Sequence, residues 1–178
     1  MDMGMRSLDI YMGLENRIVY NIMDVLSGMC RIKQAMIKDK RFKSLYLMSA
    51  APPRDHRDIT GMHMKVLCDK LKDDYDYIII DGPTGVDEGL DLAAGPSDVA
   101  VIITEPEAAS IRDADIVDRQ LSKMGVKKRY CVVNKVKAEL MAMGSVPSLR
   151  DITDGLRIKM AGFIQYDDNM LISNNKGV

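Results

Sequence analysis

The sequence predicts an α/β fold: a doubly wound, mostly parallel sheet with helices on both faces, incomplete at its N-terminus. Three observations carry this. Short apolar runs alternate with amphipathic helical patterns, the arrangement from which parallel βαβ units are built. Several of those runs are nearly continuous rather than alternating, as strands covered on both faces require. The chain opens on a helical pattern, whereas a doubly wound fold opens with a strand whose following turn meets the ligand.

Taken in order, RIVYNIMDVLSG predicts a helix with Ile18, Ile22, Val25 and Leu26 on one face, ending at Gly28. LYLMS (45–49) is the first firm strand. From Thr60 to Tyr75 a second helix aligns Met64, Leu67, Leu71 and Tyr75 on one stripe. YIII (77–80) reads as a buried strand that delivers Asp81 to a Gly-Pro turn. DVAVIIT (98–104) is the next strand. The helix opening at Ser110 spaces Ala114, Val117, Leu121 and Met124 for burial. RYCVV (129–133) follows, then a helix from Pro147-Ser148 with Leu149, Ile152 and Leu156 inward, and a weaker strand, KMAGFI (159–164). No repeat, low-complexity tract or linker interrupts residues 1–178, which predicts one domain.

Composition narrows the function classes. With 47% hydrophobic and 29% charged residues and a formal net charge of −1, no global field steers the chain to nucleic acid or an anionic membrane. No apolar run reaches the roughly 20 residues that span a bilayer. Cys30, Cys68 and Cys131 form neither a CxxC pair nor a disulfide framework, and a cytoplasmic location follows. The high methionine count reads as core filling rather than a promiscuous surface.

The chemistry centres on Asp81. A carboxylate at the carboxyl end of a strand can hold magnesium, chiefly through water, because the small ion gives up its hydration shell reluctantly. The rival is a strand-end cap of the following turn. The apolar run with D-x-P-x-G favours function. A magnesium site also needs a phosphate cradle, and G-x-x-x-x-G-K-[ST] does not occur here; no Gly-Lys dipeptide does. His56 and His63 have no partner at metal or triad spacing and read as surface or packing residues, and KKR (127–129) reads as a solvated turn.

IIIDGPTG (78–85) resembles the magnesium-strand and switch motif of the deviant-Walker (ParA/MinD-type) ATPases, which have the P-loop NTPase fold. DMGMRSLDIYMGLENRIVY (2–20), IKDKRFKSLYLMSA (37–50), TEPEAASIRDAD (104–115) and SNNKG (173–177) narrow the resemblance to the MinD branch, over essentially the full sequence. This branch positions the division septum. The resemblance implies ATP and Mg as cofactors, a homodimer in the ATP state, MinC-like and MinE-like regulators, no nucleic acid, and peripheral inner-membrane association. It also implies a phosphate-loop βαβ unit of ~30 or more residues ahead of this stretch, and an amphipathic membrane helix after NNKGV.

By the same resemblance, Asp2 matches the catalytic aspartate that orients the attacking water, with a solvated terminal carboxylate as the rival. Asp81 matches the magnesium aspartate, while Pro83 and Gly85 belong to the second-switch turn. Asn134 falls where relatives read the adenine edge; a turn-forming Asn is the alternative. The proline-acid pair near the adenine is Gln165-Tyr166 here, which weakens base contacts from that loop. Ser110, Arg112, Asp113 and Asp115 correspond to a partner surface, although Ser110-x-x-Asp113 also fits a helix capping box, the role favoured for Asp113.

Without a phosphate cradle, three lost charge-assisted hydrogen bonds cost about 4.5–9 kcal/mol, or roughly three to six decades of affinity. The chain as written is therefore expected to bind ATP poorly and to expose apolar surface. The alternatives are another ParA-type partitioning ATPase, an iron–sulfur scaffold ATPase (disfavoured by the lack of CxxC), and a non-catalytic fragment or partner-binding module.

Overall fold

The computed structural model describes residues 7–51 and 59–176. The chain runs α1 (Leu8–Tyr11), a 3-10 turn (Glu15–Arg17), α2 (Ile22–Leu26), α3 (Ile32–Ala35), β1 (Met36–Lys38), β2 (Tyr46–Met48), α4 (Gly61–Leu71) and α5 (Glu88–Ala94). It continues through β3 (Val99–Thr104), α6 (Ala108–Lys123), β4 (Lys128–Val136), α7 (Ala138–Ala142), α8 (Leu149–Leu156), β5 (Lys159–Gln165) and α9 (Asp168–Lys176). Among the described residues two compact units result: residues 7–51 and 59–96 with 169–176, and residues 97–168.

In the first unit, β1 and β2 pair antiparallel, with Ile37 opposite Leu47. Their connection is organised by Asp39, whose side chain is only 1% exposed. Its Oδ1 accepts from the backbone N–H groups of Arg41 (2.7 Å) and Phe42 (3.0 Å), while Oδ2 accepts from Arg41 Nη2 (3.1 Å). The IKDKRF stretch is thus a self-satisfied turn around one carboxylate. Ile37 and Leu47 bury with Leu14, and a larger core joins Ile22, Ala51, Met64, Leu67, Leu71 and Leu92.

The helical stripe of α4 buries Met64, Leu67 and Leu71 as its spacing predicts. Thr60 caps it, and His63 completes a reciprocal capping box by taking the Thr60 N–H on Nδ1 (3.2 Å). His56 lies outside the described residues. The helix expected over RIVYNIMDVLSG is shorter than its pattern. Asn21 caps at Ile22, its side chain accepting from Met23 N (2.7 Å) while Asp24 takes the Asn21 N–H (2.8 Å), so Ile18 stays extended. Gly28 follows with φ +78°, as a helix-ending glycine should.

YIII corrects the expectation of a buried parallel strand. Residues 77–80 join no ladder among the described residues; Ile78 packs on the core, but Tyr77 is 87% and Ile79 90% exposed. The run has strand composition but no strand beside it, so one side chain in two meets solvent.

The second unit holds the parallel sheet, in the order β3-β4-β5, with Ile102 beside Cys131 and Cys131 beside Met160. Ile102 and Thr104 are buried on the α6 side, whereas Val99, Val101 and Ile103 alternate outward. α6 buries Ala114 and Leu121, and α8 buries Ile152 and Leu156 after a Ser148–Asp151 capping box. KKR is more than a solvated turn: Arg129 enters β4 and binds Asp118 Oδ1 (2.6 Å) and the Val126 carbonyl (2.8 Å).

Candidate functional site

Asp81, Pro83 and Gly85 share one irregular segment of the first unit, directly after the apolar run 77–80 and ahead of α5. Asp81 is exposed and lines a cleft of about 810 Å³, which places a carboxylate where a hydrated cation can reach it. Gly85 has φ +93°, a conformation that a side chain would strain, with open space where a Cβ would stand. The turn therefore depends on glycine for its backbone and leaves room for a ligand against it. Asp87 then caps α5, accepting from Gly89 N at 3.0 Å. Asp2 lies outside the described residues.

Asn134 belongs to the second unit, at an irregularity in β4. The ladder pairs Val133 with Phe163 and Val136 with Gln165, so β4 spends one extra residue there. Such bulges re-aim side chains at strand ends. Lys135 takes the left-handed conformation, φ +55°, and its N–H donates to Asn134 Oδ1 (2.9 Å). The amide nitrogen of Asn134 has no partner among the described residues, and the oxygen keeps a second lone pair. The turn-forming role is the one this bond fills.

Residues at the ends of three strands clamp this bulge, and sequence reasoning missed them. Lys135 Nζ binds Glu105 Oε1 (2.5 Å), just beyond β3, and that carboxylate raises the lysine's pKa. The Lys137 ammonium stands 4.1 Å from the Tyr166 ring centroid, just beyond β5. Tyr166 N donates to the Val136 carbonyl (2.9 Å), and its hydroxyl donates to Asp168 (2.9 Å), a bond that raises the phenol pKa. The only sequence signal was the departure at Gln165-Tyr166.

The partner-surface candidates divide. Ser110 is no N-cap: α6 begins at Ala108 after Glu107, and no side chain caps it. Ser110 Oγ instead accepts from Glu105 N (2.9 Å) and meets Thr104 Oγ1 (2.9 Å), itself 1% exposed. The capping role expected for Asp113 is thus corrected, because the Ser-x-x-Asp pattern begins inside the first turn. Arg112 and Asp113 are exposed, 3.9 Å apart, and Asp115 is tied to Arg119 (2.6 Å). Arg112 and Asp113 remain accessible to a partner; Ser110 does not need one.

Among the described residues no cluster of three His, Cys, Asp or Glu side chains could hold a metal. Asp81 alone suits magnesium that keeps most of its water, the mode in which phosphate oxygens complete the shell. The 178 residues supply that carboxylate but no glycine-lysine cradle for the phosphates.

No family model matches the chain. It is 40% identical over 176 residues to a putative septum site-determining protein MinD of Guillardia theta, covering 99% of this chain and 65% of that one. The MinD of Synechocystis is likewise 40% identical over 176 residues, with 66% of its length covered. The chain thus spans about two thirds of the length of these curated relatives. Among solved structures, MinD in the MinC:MinD cell division complex of Aquifex aeolicus superposes with a TM-score of 0.89 at 38% identity, covering 98% of this chain and 70% of that one. The Pyrococcus horikoshii MinD complexed with Mg-ADP shares the fold, with a TM-score of 0.85 at 20% identity over 99% of this chain and 71% of its own.

Proposed function

This chain belongs to the MinD family of deviant-Walker ATPases, and from that premise we propose that it carries the magnesium-side and partner-facing portion of a septum-positioning ATPase. The observation that carries the reading is the Asp81–Gly85 turn: an exposed carboxylate follows an apolar run, and a glycine held at φ +93° stands beside open space. Asp81 would meet Mg through water, and Gly85, in the turn it shares with Pro83, would bring backbone N–H groups toward the terminal phosphate of ATP. Asn134 would offer its amide to the adenine. Asp2 would orient water. A single ATPase domain over residues 1–178, a homodimer in the ATP state and peripheral inner-membrane cycling from the cytoplasm belong to the same proposal. No described helix is long and apolar enough to cross a membrane.

A MinC-like regulator is the partner best supported, because the Aquifex relative was solved with MinC. Exposed Arg112 and Asp113 and half-buried Asp115 on α6 would meet it, and a MinE-like regulator would share that surface. A second reading, a partner-binding module without catalysis, is favoured by one contrast: α6 is fully formed, while the segment that presents Asp81 joins no ladder.

Isothermal titration of the 178-residue chain with Mg-ATP tests the nucleotide half. A dissociation constant of about 1 mM or weaker is expected; micromolar binding overturns the predicted weakness. Capture of a MinC-like protein by this chain without nucleotide supports the module. Capture only by a chain that also contains a glycine-lysine loop supports the full ATPase cycle.

A further inference from the structure

β4 meets its neighbours unevenly near its end. β3 stops at Thr104, opposite Val133, while β5 pairs Phe163 with Val133 and Gln165 with Val136. Among the described residues neither ladder pairs Asn134 or Lys135. The backbone beyond them is pinned, because Tyr166 N donates to the Val136 carbonyl (2.9 Å). The two residues between are held through their side chains.

Lys135 sits there at φ +55°, in the left-handed region that a side chain disfavours. Glycine would take this conformation without strain, so the lysine is explained by what its side chain reaches. It reaches Glu105 Oε1 at 2.5 Å, just beyond the end of β3, and Glu107 adds to the same field. Both members of the pair are partly exposed, and such pairs contribute little to overall stability. A modest bond on a strained residue instead decides which local conformation is populated.

That conformation has a consequence next door. Lys135 N–H donates to Asn134 Oδ1 (2.9 Å), which fixes the amide with its oxygen toward the backbone. The amide nitrogen stays without a partner among the described residues, and the oxygen keeps one lone pair. A donor and an acceptor are thus left side by side, the pair that matches the amino group and ring nitrogen of adenine. Guanine presents two acceptors on the corresponding edge, one of which would face the Asn134 oxygen.

We propose that Glu105 is a positioning residue: its ion pair with Lys135 latches the left-handed turn and so sets the Asn134 amide for adenine over guanine. This rests on the reading of Asn134 as the adenine contact and adds the residue that holds the amide in place. Glu105 acts through Lys135 and not on the base.

The test titrates the 178-residue chain with AMP and with GMP, which share a phosphate and differ in the base, and follows both by NMR. AMP should shift the Asn134 side-chain amide resonances, and GMP should leave them in place. Glu105→Gln should weaken AMP binding about tenfold, because apparent affinity falls with the fraction in the competent conformation. Without any nucleotide, the Lys135 amide of that variant should exchange about tenfold faster. Lys135→Arg keeps the charge and should bind AMP as the unsubstituted chain does. Adding Lys135→Gly to Glu105→Gln should restore most of the AMP affinity, since glycine holds the turn without a latch.

Undiminished AMP affinity in Glu105→Gln overturns the proposal and leaves the adenine reading standing. So does a double variant that fails to recover, which would make the pair a source of charge rather than of position. The amides of Ile102 and Cys131, in mid-ladder, should keep their exchange rates in every variant; a rise there would make Glu105 a residue of general stability and overturn its positioning role. Equal binding of AMP and GMP by the unsubstituted chain overturns the base preference. If neither nucleotide shifts Asn134 in that chain, the adenine reading itself fails and the positioning role falls with it.

Discussion

Asp39 shows how much one carboxylate can organise. Arg41, chiefly through its side-chain hydrogen bond, holds the acid down to about 2 from an ordinary 3.8. A depressed folded-state pKa means stability that is fully present above the unfolded value and lost as pH falls through the folded one. Asp39→Asn should therefore lower the melting temperature at pH 7. It should also flatten the loss of stability between about pH 4 and pH 2, as thermal melts across that range would show. An unchanged acid limb in the variant would remove this carboxylate from the account. Ser110 makes a second case, since its hydroxyl serves buried Thr104 and the Glu105 N–H. Ser110→Ala should cost about 1–3 kcal/mol in chemical denaturation, the penalty for stranding buried polar groups. A shift below a few tenths of a kcal/mol would restore Ser110 to a surface role.

α8 is the helix whose limits were most legible. Pro147-Ser148 opens it, Ser148 accepts from Asp151 N (3.2 Å), and the reciprocal bond to Ser148 N measures 3.0 Å. Removing that box with Ser148→Ala should destabilise the chain by about 0.5–2 kcal/mol, measured by urea melts. The same box pattern misled at Ser110, because three-residue spacing recurs wherever a polar face faces back toward the preceding loop. Period made α4 and α6 visible, and period with a cap made α8 so. β1, only Met36–Lys38, offered too few residues for any period to register. The apolar run 77–80 was read as a strand because strand composition reports what a segment can pair with, and nothing in composition reports whether a neighbour is there. The Asp81–Gly85 turn was legible as a motif. The clamp of Glu105, Lys135, Lys137 and Tyr166 was not, since its members meet only when three strand ends align.

Taken together, the exposed side chains foretell how the chain behaves in solution. Tyr77 and Ile79 in one unit, and Val101 and Ile103 in the other, show apolar surface where folded domains usually hide it. The 178-residue chain should bind a hydrophobic dye in its native state and melt over a broad range. Calorimetry with and without dye decides: a sharp, dye-silent transition would mean these surfaces are covered in solution. Kinship with MinD is fully consistent with this behaviour, because family membership rests on the matched two thirds of the relatives and stability rests on every strand having neighbours.

Cys68 turns the cleft into something that can be timed. This residue lines that space from α4, and burial raises its thiol pKa, so thiolate is scarce and alkylation slow. Cys131, equally buried but in the other unit, and half-buried Cys30 serve as internal clocks. Mass spectrometry of three labelling rates in one tube then separates a chain that closes around Cys68 from one that loosens everywhere. In the first case a single rate falls; in the second all three rise together.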